Sequence, residues 1–187
     1  PQGQRCAQAI AAQSEKLQAL MEALVKSSRL ETGILALHPE PGPLSPMVER
    51  AVAQYLSKAQ AKQIRLSVGQ MRGSALFDPK WTEEALCNLL DNAVKYTPAG
   101  GRVSVEIRPY EMFTAVCVQD TGPGIPEAEQ AKIFGRFYRA PSAYQTEGVG
   151  IGLYLTRQIA AGQGGYIKVE SSPGAGSIFS LYLPRES

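Results

Sequence analysis

The chain has 187 residues, 44% of them hydrophobic, and a formal net charge of +2. That length suffices for one well-buried domain with an appendage. The small charge, without any dense Lys/Arg stripe, gives no reason to expect nucleic acid as a partner. The three cysteines, Cys6, Cys87 and Cys117, are odd in number and far apart, which argues against a disulfide framework or metal spacing and suits a reducing cytoplasm.

Residues 7–30 read as one helix, with Ile10, Leu17, Leu20, Met21 and Leu24 drawing a narrow apolar stripe that suits a helical hairpin or bundle partner. Gly33 can end this helix and the prolines of 39–43 cannot continue it, so a domain boundary is expected there. Ser45 as N-cap, followed by Pro46, opens a second helix running to about residue 61. Residues 64–68 and 75–77 read as short strands. Asp78 then caps a third helix that starts at Pro79 and runs to Tyr96. Alternation of Val103, Val105 and Ile107 marks a strand over 102–108, and the nearly continuous apolar run 113–118 marks a central strand buried on both faces. A loop region with a short helix near 127–132 follows, then a fourth helix over 150–161 and two closing strands, 166–171 and 177–183. The sum is an α+β fold: a two-layer sandwich of a mixed, mostly antiparallel sheet with helices on one face, preceded by one long N-terminal helix. No stretch of eighteen uncharged apolar residues occurs, and residues 1–6 lack the blocks of a secretion signal.

The third helix is expected to turn Leu86, Leu89, Leu90 and Ala93 to the sheet and Glu84, Asn88, Asp91, Asn92 and Lys95 the other way. For Glu84 and Asp91 an ordinary solvent face explains the pattern. Mid-helix asparagines are poor helix formers and need another reason. Offsets of four and three line up Asn88, Asn92 and Lys95, two amide oxygens beside an ammonium, which is a donor set suited to a magnesium–triphosphate. Downstream, Asp120 ends the buried strand and is followed by Gly122 and Gly124, which permit close backbone approach to a flat ligand or simply make a tight turn. Gly148, Gly150 and Gly152 precede the fourth helix and can expose N–H groups to an anion. Their spacing is not that of a dinucleotide-binding fingerprint.

Taken together, these pieces resemble sensor histidine kinases of two-component systems, within the GHKL (Bergerat) ATPase superfamily. Residues 88–97 (NLLDNAVKYT) resemble the family's N box, 120–126 (DTGPGIP) its first glycine box and 133–139 (IFGRFYR) its F box. Residues 148–153 (GVGIGL) resemble the second glycine box and 174–177 (GAGS) the last glycine motif. The resemblance covers roughly 44–184 and implies a catalytic, ATP-binding domain over 44–187, with 1–38 as the second helix of a dimerisation hairpin.

The resemblance further implies that Asp120 accepts a hydrogen bond from the adenine amino group while Gly122, Gly124 and Ile125 lie against the base. Asn92 would be the Mg²⁺ ligand, with Asn88 beside metal and phosphates, Lys95 neutralising phosphate charge and Tyr96 lining the nucleotide. Arg136 and Arg139 would be candidates for phosphate contact, Phe137 would belong to the nucleotide site, and residues from about 139 to 147 would form the flexible lid itself. Gly148, Val149, Gly150, Gly152 and Leu153 would hinge that lid and meet the triphosphate, with Ser177 completing the site.

The acceptor histidine of such kinases stands on the first hairpin helix. Here His38 is the sole histidine and follows the exit of the second helix, so no catalytic role falls to it, and the chain is expected to be a piece cut on its N-terminal side. Such a piece would bind ATP and Mg²⁺ without phosphorylating itself. The implied partners are the missing histidine-bearing helix, a second copy in a homodimeric parent, and the receiver domain of a response regulator. The implied location is the cytoplasmic portion of a membrane-anchored bacterial sensor. The alternatives are a GHKL-type ATPase, an anti-sigma-factor serine kinase and a non-catalytic nucleotide-binding module. The ATPases place a water-activating Glu where this chain has Asn88, which cannot act as that base.

Overall fold

The computed structural model describes residues 2–32, 36–139 and 150–185. Helix α1 spans Gln2–Glu31, beginning a little before the expected start. Its apolar stripe divides: Leu20, Ala23 and Leu24 are half-buried, whereas Ile10, Leu17, Met21 and Val25 are exposed.

The proline-rich segment after α1 is more than a helix breaker. Glu40–Pro43 forms strand β1, paired antiparallel with β3, Ser74–Phe77. Prolines two residues apart place both missing N–H groups along one edge of the strand, and a two-stranded ribbon leaves one edge free. Helix α2 is Ser45–Ala61, and here the expected cap is corrected. Leu44 occupies the cap position and no side chain caps the helix. Leu44 is fully buried and its N–H donates to the Gly73 carbonyl, so core packing and a backbone bond set this start.

Strand β2 (Arg65–Val68) runs parallel to β4 (Arg102–Pro109). β4 pairs antiparallel with β5 (Phe113–Asp120), β5 with β7 (Gly176–Pro184), and β7 with β6 (Tyr166–Ser172). The sheet order is β2-β4-β5-β7-β6, so the apolar run expected at the centre is at the centre. Residues 114–118 of β5 are all buried. Helix α3 (Pro79–Tyr96) packs between α2 and α5 (Gly152–Gly162) on one face of the sheet. The short α4 (Glu127–Gln130) and a single 3-10 turn, Lys132–Phe134, fill the loop after β5. Leu86, Leu89, Leu90 and Ala93 of α3 are buried in the core, as their spacing predicts.

The other sheet face carries aromatic side chains above small residues. Tyr166 and Tyr182 stack with ring centroids 4.5 Å apart. Cys117 is buried among the strands, Cys87 is half-buried and Cys6 is exposed. Burial, then the carboxylates of Glu83, Glu84 and Asp91, pushes the Cys87 thiol up to about 11, so it stays protonated and unreactive.

Asp78 joins three parts of the chain. One carboxylate oxygen accepts the Trp81 N–H at 3.1 Å, capping α3, and the other accepts the His38 N–H at 3.0 Å. Gln163, just beyond α5, accepts the Asp78 N–H and the Thr82 hydroxyl. Asp78→Ala removes a cap and strands the His38 donor, and is expected to destabilise the fold by about 1–2 kcal/mol. Chemical denaturation of both proteins checks this; an unchanged midpoint would show that the cap carries no weight.

Candidate functional site

The polar face of α3 borders a cavity and stays partly open to solvent. Asn88, Asn92, Lys95 and Tyr96 line a cavity of about 430 Å³, together with Asp120, Gly124, Ile125, Arg139, Gly150, Gly152, Leu153 and Ser177. Glu84 and Asp91, expected to be simple surface residues, line it too. Each is ion-paired: Glu84 to Lys26 of α1 at 2.7 Å, and Asp91 to Lys58 of α2 at 2.5 Å. Their side chains remain 25% and 42% exposed, so both keep contact with solvent as expected while also bordering the cavity, because helix periodicity tells which residues share a face and not what else that face looks onto.

Asp120 is the last residue of β5 and only 7% exposed. Burial raises its pKa above the ordinary carboxylate value, and the backbone N–H groups of Gly122 and Ser177 partly oppose that by stabilising the charge. The Gly122 N–H donates to Oδ1 at 2.7 Å. Ser177 stands directly across the β5–β7 ladder. Beside Asp120, the loop is tied to the closing hairpin. The Ile125 N–H donates to Ser171 Oγ at 2.8 Å, the Gly174 N–H to the Pro123 carbonyl at 2.7 Å, and Gln130 Nε2 to the carbonyls of Ile125 and Ser171. Gly124 has φ +73°, and a Cβ there would collide with the Ser172 carbonyl oxygen. The glycine is therefore demanded by the chain's own β6–β7 turn, a reason not visible in the motif.

The cationic residues divide. Lys95 and Arg139 line the cavity. Arg136 does not: its Nη2 donates to the Tyr154 hydroxyl at 3.0 Å and its guanidinium lies 4.9 Å from the Tyr154 ring centroid. Phe137 is 50% exposed, has φ +61°, and also stands outside the cavity lining. Gly122 supports Asp120 without lining the cavity. Gly148 and Val149, with the greater part of the expected lid, lie outside the described residues. The fourth helix begins at Gly152 and not at Gly150. Gly150, φ +76°, belongs to the preceding loop, where a side chain would crowd the Tyr138 carbonyl. Gly152 sits against Asn88, whose Oδ1 would be 3.5 Å from an added Cβ.

Asn88 Nδ2 is buried and has no hydrogen-bond partner, a costly state that a ligand acceptor would relieve. Sequence reasoning also missed one entire wall. Ala19, Glu22, Ala23 and Lys26 of α1 line the cavity. No local pattern could show this, because it depends on how α1 docks against the rest.

Residues 77–187 match the family model described as histidine kinase-, DNA gyrase B-, and HSP90-like ATPase. The chain is 37% identical over 175 residues to the adaptive-response sensory kinase SasA of Synechococcus sp. (strain JA-3-3Ab), covering 92% of this chain and 46% of that protein. It is 32% identical over 180 residues to the signal transduction histidine-protein kinase/phosphatase MprB of Mycolicibacterium smegmatis, covering 94% of this chain and 36% of that protein. The chain thus spans less than half the length of these relatives. Among solved structures, a mycobacterial sensor histidine kinase MprB superposes with a TM-score of 0.68 at 27% identity, over 80% of this chain and 99% of that one. Full-length ShkA in complex with AMPPNP shares the fold, with a TM-score of 0.84 at 24% identity over 98% of this chain and 39% of that one. No helix among the described residues is long and apolar enough to cross a membrane. The family match over most of the folded core and the relatives' names agree with the boxes read from the sequence: this chain belongs to the histidine kinase-, DNA gyrase B- and HSP90-like ATPases, on the sensor histidine kinase branch.

Proposed function

We propose that this chain binds Mg·ATP in the cavity beneath α3, with adenine read by Asp120 and the phosphates held along Asn88, Asn92 and Lys95. One observation carries this reading: a buried carboxylate and a helix face bearing two carboxamides and an ammonium line the same nucleotide-sized cavity. Ile125 and Tyr96 supply flat, largely apolar wall, and Arg139 supplies a second cation. Arg136 would reach phosphate only after leaving Tyr154. Phe137, Gly148 and Val149 keep a role in lid closure as part of the same reading.

The donor set suits magnesium. Among the described residues no His, Cys, Asp and Glu side chains are grouped to hold a metal. Mg²⁺ needs few protein ligands and completes its shell with phosphate oxygens and water. Asn92 Oδ1 is the ligand we assign, and the unpartnered Asn88 Nδ2 is free to donate to a phosphate oxygen. The bound ion would supply charge neutralisation on the phosphates.

In the whole protein, residues 44–187 would present the γ-phosphoryl group to a histidine nitrogen of the dimerisation domain, to which residues 1–38 contribute the second helix. The group would pass on to an aspartate of a response regulator. The relatives are named as sensory and signal transduction histidine kinases, and this supports the assignment. A homodimeric parent, with this part on the cytoplasmic side of a membrane, belongs to the same reading. Asn88 argues against a water-activating ATPase, since a carboxamide cannot take a proton from water.

Guanine places an acceptor where adenine places its amino donor, opposing the Asp120 carboxylate. A buried unsatisfied pair costs about 1–3 kcal/mol, so ATP is expected to bind roughly tenfold or more tightly than GTP. Calorimetric titration decides, and equal dissociation constants would sink the assignment of Asp120. Asn92→Ala is expected to abolish the gain in affinity that Mg²⁺ gives over EDTA, measured in the same titration. The adenine contact needs ionised Asp120, so it is present above the Asp120 pKa and lost as pH falls through it. Because burial raises that pKa, affinity is expected to weaken at a higher pH than an ordinary aspartate would dictate. Asp120→Asn should bind more weakly and lack that acidic limb; an identical pH profile in both proteins would contradict it.

A further inference from the structure

Helix α1 does more than precede the ATP-binding domain. Ala19 and Ala23, one turn apart, give the cavity a wall without bulk, and Lys26 brings a cation to the same opening. Lys26 Nζ reaches across to Glu84 Oε1 at 2.7 Å. Glu84 stands one helical turn before Asn88 on the polar face of α3, so the ammonium lies alongside the residues assigned to the phosphates. The pair is weakly held, since its side chains remain 40% and 25% exposed. A triphosphate offers several negative charges against the one of Glu84. The flexible lysine stem allows the ammonium to change partners without moving the helix.

We propose that Lys26 is a polyphosphate-binding residue of this cavity, kept in place by Glu84 until nucleotide enters and then transferred to the phosphates. This rests on the Mg·ATP reading above. It adds a contact from the helix outside the ATP-binding domain. It follows that docking of α1 and occupancy by a phosphate-rich nucleotide favour one another, because a group on one binds the other. ATP and ADP engage Lys26, and adenosine does not.

The test is calorimetric titration of the 187-residue chain with Mg·ATP and with adenosine, for the wild type, Lys26→Met, Lys26→Arg and Glu84→Gln, each checked by circular dichroism for folding. Lys26→Met is expected to weaken ATP about tenfold, the loss of one charge-assisted hydrogen bond, and to leave adenosine within about twofold. Lys26→Arg should recover most of the ATP affinity. Glu84→Gln frees the lysine and should tighten ATP by a few-fold. An ion pair that merely latches the helix predicts instead that Lys26→Met and Glu84→Gln shift ATP in the same direction. That result overturns the proposal, as does equal loss of ATP and adenosine in Lys26→Met, or unchanged ATP affinity. A wild type that binds neither ligand defeats the nucleotide reading itself, and is thereby distinguished from failure of Lys26 alone.

Discussion

A charge buried at the end of a central strand is the interaction on which the site depends. Asp120 is carried by β5, the most enclosed strand of the sheet, and its carboxylate is kept from water by the loop that follows and by β7. Such a group is tolerable only where donors meet it, and the N–H groups of Gly122 and Ser177 do so. Those donors exist because the loop is clamped to the β6–β7 hairpin through Ser171, Gln130 and the Pro123 carbonyl. The glycines of this region serve that clamp. Where backbone runs this close to backbone, no side chain fits, and the carboxylate gains a fixed orientation.

Helix α3 meets the same cavity from the opposite requirement. Its apolar side is locked into the core, so its polar side cannot rotate away. Two carboxamides are thereby held in the cavity lining, and the buried Asn88 Nδ2 is left without a partner. A fold that leaves a donor in this state keeps a binding preference in reserve, because any suitable acceptor removes the penalty. The acidic neighbours Glu84 and Asp91 would repel an anionic ligand, and lysines from two other helices offset them. The cavity's electrostatics thus depend on α1 and α2 as well as on the residues of the boxes.

Much of this was legible in the chain itself. The alternation of β4, the continuous apolar run of β5 and the period of α3 all follow from single-element geometry, and each stands where it was expected. Asn88, Asn92, Lys95, Tyr96, Asp120, Gly124, Ile125 and Ser177, which spacing or resemblance points to, share one cavity. The misreadings have physical causes. Leu44 displaced Ser45 from the cap because core burial outweighs a hydroxyl bond at that end. Pro41 and Pro43 break the preceding helix, yet they also fit a strand, because a ribbon edge has no use for their missing donors. Arg136 shares a box with Arg139, but the ring of Tyr154, eighteen residues on, holds it aside.

Residue order alone determined which side chains could share a strand edge or a helix face, because those relations repeat over two or about four residues and need nothing distant. It therefore determined the layered α+β plan and the pairing of carboxamides with an ammonium on α3. Only the tertiary structure decided what each face looks onto. The docking of α1 turned Glu84 from a surface residue into a cavity residue and brought Lys26 to it across 58 positions of sequence. Contacts of that span follow from how amphipathic elements bury their apolar sides together, which no local repeat encodes.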